Sequence, residues 1–289
     1  MKNFAKIPIY TSRGNDRHFE PLIPSSISLG TKDFSVHFSQ RISPWHDIPL
    51  YVPLKRFLSK KGKGKSPAPL QWEVLNYVNE IPKGSFSKFE IQTKLPMNPI
   101  KQDLSKKTNE LRYLLYSKSG VPFNYGCLPQ TWEGNESTPL HEFNLRNCYG
   151  DDDPLDVVDV SGKVLGVGEL RKVIVLGSIG LIDEGEIDWK VLCYALDDTE
   201  FQSLFESPAN EAQLKRKLTM HLNQELNLVK DWFINYKTAE GKPRNDLAEK
   251  GKVFDEAYTK RLVRAMHETY QSLVNRSVKN TSDLWIPSL

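Results

Sequence analysis

Long apolar runs, phosphate-cradling glycine loops and paired cysteines are all missing from this 289-residue chain. No eighteen consecutive apolar residues occur, so nothing in the sequence predicts a membrane-spanning helix. Neither G-x-x-x-x-G-K-[ST] nor G-x-S-x-G is present, which leaves P-loop and serine-hydrolase chemistry without support. The three cysteines, Cys127, Cys148 and Cys193, form no C-x-x-C pair and no disulfide framework; simple packing in a reducing compartment is expected. The six histidines, His18, His37, His46, His141, His221 and His267, show no metal-ligand spacing, and His46 in WHDIPLY is expected to be a packed, hydrogen-bonded residue. The first twenty residues lack an apolar signal core; Lys2, Lys6, Arg13 and Arg17 hint at a mitochondrial presequence, but Asp16 and Glu20 oppose a long one. Cytoplasm is the expectation and mitochondrion the alternative.

Hydrophobic content of 39% and charged content of 26% suit a globular protein able to bury a core. A formal charge of +3 is too small to argue for nucleic acid. The excess is local, at Lys60, Lys61, Lys63 and Lys65, in a Gly- and Pro-containing stretch over 55–69 that is expected to be an exposed loop. Residues 1–30 are expected to form a loosely attached arm, 31–277 a single domain, and 278–289 an unremarkable tail.

Alternation of Phe34, Val36 and Phe38 with polar neighbours predicts a strand. The runs WEVLNYV, FSKFEI, LRYLL, VVDV, KVIVLGSIGLI and WKVLCYAL are short and β-branched or aromatic, the pattern of a barrel or sandwich. Beyond Pro208 the period changes. Leu214, Leu218, Leu222, Leu226, Val229 and Phe233 predict one amphipathic helix; Phe254, Tyr258, Leu262, Met266, Tyr270 and Leu273 predict a second. The fold class is therefore mainly β with flanking helices, an α+β arrangement.

The densest chemistry is GDDDPLD at 150–156. In an extended segment Asp151 and Asp153 would share a face, and Pro154 would bend Asp156 towards them. Carboxylates held so close repel unless a hard cation such as Mg²⁺ or Mn²⁺ sits among them. An acidic solvated turn is the bland alternative. An EF-hand fails, because Asp156 stands where its glycine belongs and Gly162 where its glutamate belongs. A second cluster, DEGEIDWK at 183–190, puts Asp188 and Lys190 on one strand face, and Lys88 and Glu90 repeat that spacing. Arg112, within the apolar run LRYLL, needs a partner that an oxyanion would supply. Tyr236 and Lys237 fall at the end of the first helix, where a cation also suits the helix dipole.

These residues resemble the soluble family I inorganic pyrophosphatases in their larger eukaryotic form. DDDPLDV at 151–157 satisfies D-[SGDN]-D-[PE]-[LIVMF]-D-[LIVMGAC] at every position, and HDIPLY, NEIP, KFEI, NYG-x-x-PQTWE, DEGE-x-DWK, WF-x-x-YK and GKP extend the likeness over about 30–275. The resemblance implies a five-stranded OB-like barrel with C-terminal helices packed around it, a homodimer, and hydrolysis of pyrophosphate to two phosphates with several Mg²⁺ ions per site, Mn²⁺ substituting. It implies Asp151, Asp156 and Asp188 as ligands of the tight metal, Glu90 and Asp183 as ligands of metals arriving with substrate, and Asp153 as general base. Lys88, Arg112, Tyr125, Lys190, Tyr236 and Lys237 would hold the phosphates, and Glu80 would be a supporting carboxylate at the rim. Membrane and nucleic-acid partners are not expected. Against the family pattern, Val121 replaces an active-site tyrosine and Lys83-Gly84 replaces Arg-Trp. Two other readings stand beside this one: a pyrophosphatase-like interaction protein docking through the basic loop, and a phosphatase of longer polyphosphates or nucleotides.

Overall fold

Strand-forming sequence dominates the first two thirds of the chain, and in a computed structural model it builds two sheets. The structure describes residues 21–22, 29–39, 42–52, 73–135, 142–196 and 211–288. The basic stretch 55–69 and most of the 1–30 arm lie outside the described residues, as does the docking role assigned to that stretch.

A small sheet joins β1 (Pro21–Leu22), β2 (Ser35–Phe38), β5 (Ile100–Gln102) and β4 (Phe89–Ile91). The larger sheet contains β3 (Val74–Ile81), β6 (Asn124–Cys127), β7 (Asp156–Asp159), β8 (Leu170–Asp183), β9 (Glu186–Ala195) and an edge strand β10 (Asp246–Leu247). Its order is β10-β8-β3-β6-β7-β9, and β9 pairs again with β8, so β8, β3, β6, β7 and β9 close on themselves. Closure leaves those five strands no free edge. The strand predicted at Phe34 to Phe38 is β2, with Val36 and Phe38 buried. LRYLL does not form a continuous strand: Leu111 and Tyr113 make isolated antiparallel bridges to two different segments, at Leu104 and Ser87.

Two backbone features of the large sheet position the cleft residues. The β8–β9 hairpin turns on Glu184 and Gly185, both at positive φ (50° and 96°), the conformation that matches strand twist in a two-residue turn. In β3 the register with β6 shifts between Asn79 and Ile81, so Glu80 is the extra residue of a bulge. Opposite it, a Cβ on Gly126 would lie 2.0 Å from the Val78 carbonyl oxygen, so only glycine fits.

Both predicted helices are present. Helix α1 (Glu211–Asn235) lays Leu214, Leu218, Leu222, Val229 and Phe233 into a cluster with Ile174, Leu192 and Tyr194 of the sheet. Helix α2 (Glu256–Val274) is capped by the Asp255 carboxylate, which accepts from Tyr258 N at 2.8 Å, a contact worth about 1 kcal/mol. Phe254 therefore precedes this helix. Leu262, Val263 and Met266 of α2 pack with Trp189, Val191 and Cys193 on the other face of β9. The T-shaped Trp189–Phe254 pair, 5.2 Å between centroids, adds roughly 1 kcal/mol beyond burial.

The segment after Ser277, expected to be unremarkable, is in fact attached: Leu284 is buried and Trp285 N donates to the Thr93 carbonyl at 2.8 Å. Cys127 and Cys193 are buried and Cys148 half-buried, all free thiols. No helix among the described residues is long and apolar enough to cross a membrane.

His46 packs as expected. Its Nε2 lies 2.9 Å from the Trp285 carbonyl and therefore carries the proton, leaving Nδ1 to accept from the Tyr270 hydroxyl at 2.8 Å. Burial depresses its pKa from 6.5 to about 4. Below pH 6.5 the unfolded chain takes up a proton that the folded protein refuses, so folding stability drops by up to about 3 kcal/mol as pH falls towards 4. In urea titrations between those pH values, the stability of the wild type relative to His46→Gln is expected to fall by about that amount, because the raised cleft carboxylates act with the opposite sign in both proteins.

Candidate functional site

The parallel register of β7 with β9 sets Asp156 beside Lys190, and the two-residue period of β9 sets Asp188 on the same face. The Lys190 ammonium bonds Asp156 Oδ2 at 2.5 Å, Asp188 Oδ1, and the Tyr125 hydroxyl at 2.9 Å; Tyr125 also donates to Asp156. Lys190 is 2% exposed. Burial opposes its charge, but Asp156, Asp188 and Asp151 outweigh that and hold its pKa well above the ordinary value. The Tyr125 and Phe233 rings, each 5.4 Å away, flank it.

Next to this pair, carboxylate oxygens of Glu133, Asp151 and Asp188 lie within 4.8 Å of one another. Glu133 comes from the PQTWE stretch, pinned to α2 by Trp132 N donating to Met266 O at 3.1 Å and by the His267 ring at Gln130 O. Asp152 N and Glu133 N donate to Glu133 O and Asp153 O at 3.0 and 2.9 Å, tying the acidic turn to this stretch. Gly150 is required there, since a Cβ would fall 2.4 Å from Glu133 O. The turn itself differs from the extended segment expected. Asp152 has φ +71°, so Asp151 and Asp153 are oriented by a left-handed residue between them and not by strand alternation.

Glu133 Oε1 accepts from Trp189 N at 2.9 Å, whereas its buried Oε2 has no partner. Burial, reinforced by Asp151 and Asp188, pushes the Glu133 pKa well up. Burial likewise raises Asp151, with Asp153 and Asp156 adding repulsion, and raises Asp188 against the pull of Lys190. Three converging carboxylates with an orphaned oxygen, and no imidazole or thiolate in the group, fit a hard divalent cation. The sequence assigned Asp151, Asp156 and Asp188 to one ion; in the structure the third member of the close group is Glu133, while Asp156 meets Asp188 through Lys190.

The remaining assigned residues line the same cleft. Lys88 bonds Glu90 at 2.5 Å and Asp103 at 3.0 Å; burial disfavours its charge, but these two carboxylates drive its pKa upward. Arg112 finds carboxylates rather than an oxyanion: Asp103 at 3.0 Å and Glu240 at 3.1 Å. Tyr236 and Lys237 begin the 3₁₀ turn Tyr236–Glu240 that closes α1 and ends at Gly241, φ +75°. Lys237 holds both oxygens of Asp183, and Tyr236 reaches Asp183 at 3.5 Å. Asp153 sits opposite Thr93 Oγ1 at 3.5 Å; enclosure by the cleft walls, with Glu90 and Asp156 nearby, raises its pKa well above the carboxylate range. Glu80 is buried and not at the rim. The bulge turns it inward, where Oε1 accepts from Ile91 N at 2.6 Å. Val121 is 1% exposed and belongs to the hydrophobic core.

Sequence reasoning missed Glu133, Asp103 and Glu240. Glu133 lay inside a quoted motif, yet only its buried Oε2, left without a partner, marks it. Asp103 reaches Lys88 because β4 and β5 pair, and Glu240 reaches Arg112 across 128 positions, so neither carried a local signal.

Known proteins share both the sequence pattern and the fold that build this cleft. A family model described as inorganic pyrophosphatase matches residues 77–271. The human inorganic pyrophosphatase is 36% identical over 239 residues, covering 82% of this chain and 72% of its own length. The type I inorganic pyrophosphatase of Toxoplasma gondii superposes with a TM-score of 0.66 at 35% identity, over 88% of this chain and 99% of that one. An N-terminally truncated vacuolar soluble pyrophosphatase of Trypanosoma cruzi, solved in complex with PPi, superposes with a TM-score of 0.70 at 29% identity, over 94% and 98%.

Glu133→Gln keeps the oxygen that accepts from Trp189 N and removes one charge from the crowded group. Relief of repulsion is expected to raise the Tm of the cation-free protein by roughly 2–4 °C. The same variant is expected to lose most of the further Tm gain that Mg²⁺ or Mn²⁺ gives the wild type, because a ligand is gone. Differential scanning calorimetry with and without the cation checks both.

Proposed function

Given that the chain belongs to the inorganic pyrophosphatase family, we propose that the cleft hydrolyses pyrophosphate to two orthophosphates using Asp153 as general base and Mg²⁺ held by its carboxylates. The observation that carries this reading is the Glu133–Asp151–Asp188 group standing beside lysines already matched to acidic partners. Glu133, Asp151, Asp188 and Asp156 are the residues that would hold the tight ions, with Glu90 and Asp183 taking those that accompany substrate. Bound there, divalent cations would lower the pKa of water and offset the charge on both phosphates.

The chain's own residues divide the remaining work. Asp153, with its raised pKa, takes a proton from the attacking water as the water oxygen bonds to one phosphorus. The bridging P–O bond breaks and its electron pair leaves with the second phosphate, so one water and one pyrophosphate become two phosphates without a covalent enzyme intermediate. Lys88, Lys190 and Lys237 rest against Glu90, Asp156 and Asp183. With the negative charge of those carboxylates offset, the ammonium groups would turn to phosphate oxygens. Arg112 and Tyr236 complete the anion-binding wall, and Tyr125 orients Asp156. Glu80, buried behind the site, fixes Ile91 and hence the end of the strand that carries Glu90.

The same reading takes the protein as a cytoplasmic homodimer. Free Cys127, Cys148 and Cys193 support a reducing compartment. Sedimentation equilibrium tests the assembly, and a monomer at micromolar concentration would overturn it.

A phosphate-release assay is the direct test. Turnover of pyrophosphate is expected with Mg²⁺, is expected to vanish with EDTA, and is expected to return with Mg²⁺ or Mn²⁺. Asp153→Asn is expected to lower kcat by about 10²–10⁴. Well-folded wild type without turnover, or Asp153→Asn as fast as wild type, would sink the assignment. Arg112→Ala is expected chiefly to raise KM; an unchanged KM would remove Arg112 from the anion wall.

A further inference from the structure

Asp152 is the odd member of the acidic turn. It does not join the Glu133–Asp151–Asp188 group and makes no ion pair with a lysine among the described residues, yet it stands between a residue assigned to metal binding and the assigned base. Its backbone is left-handed at φ +71°, a conformation that aspartate tolerates better than most L-residues. Its carboxylate is gripped from two other parts of the chain. Asp152 Oδ2 accepts from Ser282 Oγ at 2.5 Å and from Asn135 Nδ2 at 3.1 Å, while its buried Oδ1 is bonded to nothing. Asn135 Nδ2 also donates to Thr281 Oγ1 at 2.8 Å, tying Asn135 to the residue next to Ser282.

The segment carrying Ser282 is itself anchored on both sides of that contact. Asn280 clasps Leu284 through both backbone groups, at 3.0 and 2.8 Å, and the Leu284 side chain is buried in the core. Trp285 N donates to Thr93 O, and Trp285 O accepts from His46. Thr93 is the residue whose hydroxyl faces Asp153. The strap thus touches the acidic turn at Asp152 directly and at Asp153 through Thr93.

We propose that residues 280–285 form a strap that sets the acidic turn, with Ser282 and Asn135 as positioning residues acting through the Asp152 carboxylate. Side-chain contacts behind a ligand or base govern its aim, and losing one commonly costs roughly tenfold or more in metal affinity or rate. The proposal rests on the reading of Asp151 as a cation ligand and Asp153 as the base. It makes the part of the chain after α2 a working component of the site.

Ser282→Ala is expected to lower kcat for pyrophosphate roughly tenfold with KM little changed, and to weaken Mn²⁺ binding roughly tenfold by calorimetry without substrate. Ser282→Thr, which keeps the hydroxyl, is expected to restore both. In an Asp152→Gly background, where glycine accepts the positive φ without a carboxylate, Ser282→Ala is expected to add nothing further. Wild-type kcat and Mn²⁺ affinity in Ser282→Ala would overturn the proposal, as would a lowered Tm with neither quantity changed. Should the wild type bind Mn²⁺ but release no phosphate, the hydrolytic reading fails and the Mn²⁺ affinities alone decide on the strap.

Discussion

Like charges gathered away from bulk water repel, and the cleft of this protein is organised around that repulsion. Glu133, Asp151 and Asp188 face one another with an orphaned oxygen among them, and Asp153, Asp156, Glu80 and Glu90 stand close enough to raise their neighbours' pKa values. Lys190, buried to 2% exposure and bonded to Asp156 and Asp188, is the internal counterweight. A lysine so deeply buried is stable only because its carboxylate partners are equally fixed. The arrangement stores a demand for cations that the protein does not itself meet.

Holding such a group in place requires a stiff frame, and the backbone supplies it where side chains would obstruct. The five closed strands leave no edge to fray, and the parallel β7–β9 pairing sets Asp156 opposite Lys190. At Gly126 and Gly150, strands or loops approach so closely that any Cβ would collide with a carbonyl. The first faces the bulge that turns Glu80 inward; the second lets the acidic turn lie against Glu133. Helix α2 holds the Glu133 stretch from behind, and the end of α1 delivers Tyr236 and Lys237 to Asp183. Local stiffness and catalytic geometry are one property here.

The paired cations and carboxylates have a further consequence for how the site responds to ligands. Each cation that the proposed function directs to phosphate, Lys88, Arg112, Lys190 or Lys237, is already bonded to an acidic partner. Such a site presents little free positive charge to stray phosphate. On the proposed reading cation and anion binding are coupled, since charge arriving at the carboxylates would release the lysines. Reciprocity of that coupling is a consequence of linkage, since whatever strengthens one binding event strengthens the other equally.

Much was legible in the primary structure because it was local. Alternation at Val36 and Phe38, the three- and four-residue steps of Leu214 to Phe233, and the DDDPLDV and DEGE-x-DWK motifs each report on neighbours a few residues away. Periodicity determined which face of each element would be buried, and spacing determined that Asp188 and Lys190 would point together. What lay beyond reach depended on contacts between distant segments. Asp152 proved left-handed under the grip of Ser282 and Asn135; Glu80 was turned inward by a bulge; Asp103 and Glu240 met Lys88 and Arg112 only through pairing and docking. The amino-acid order alone thus settled the chemistry available and the strands and helices that carry it. Tertiary packing alone decided which carboxylate became the third of the close group and what steadies the turn, because through-space electrostatics and hydrogen bonds depend on distance in the fold and not on separation along the chain.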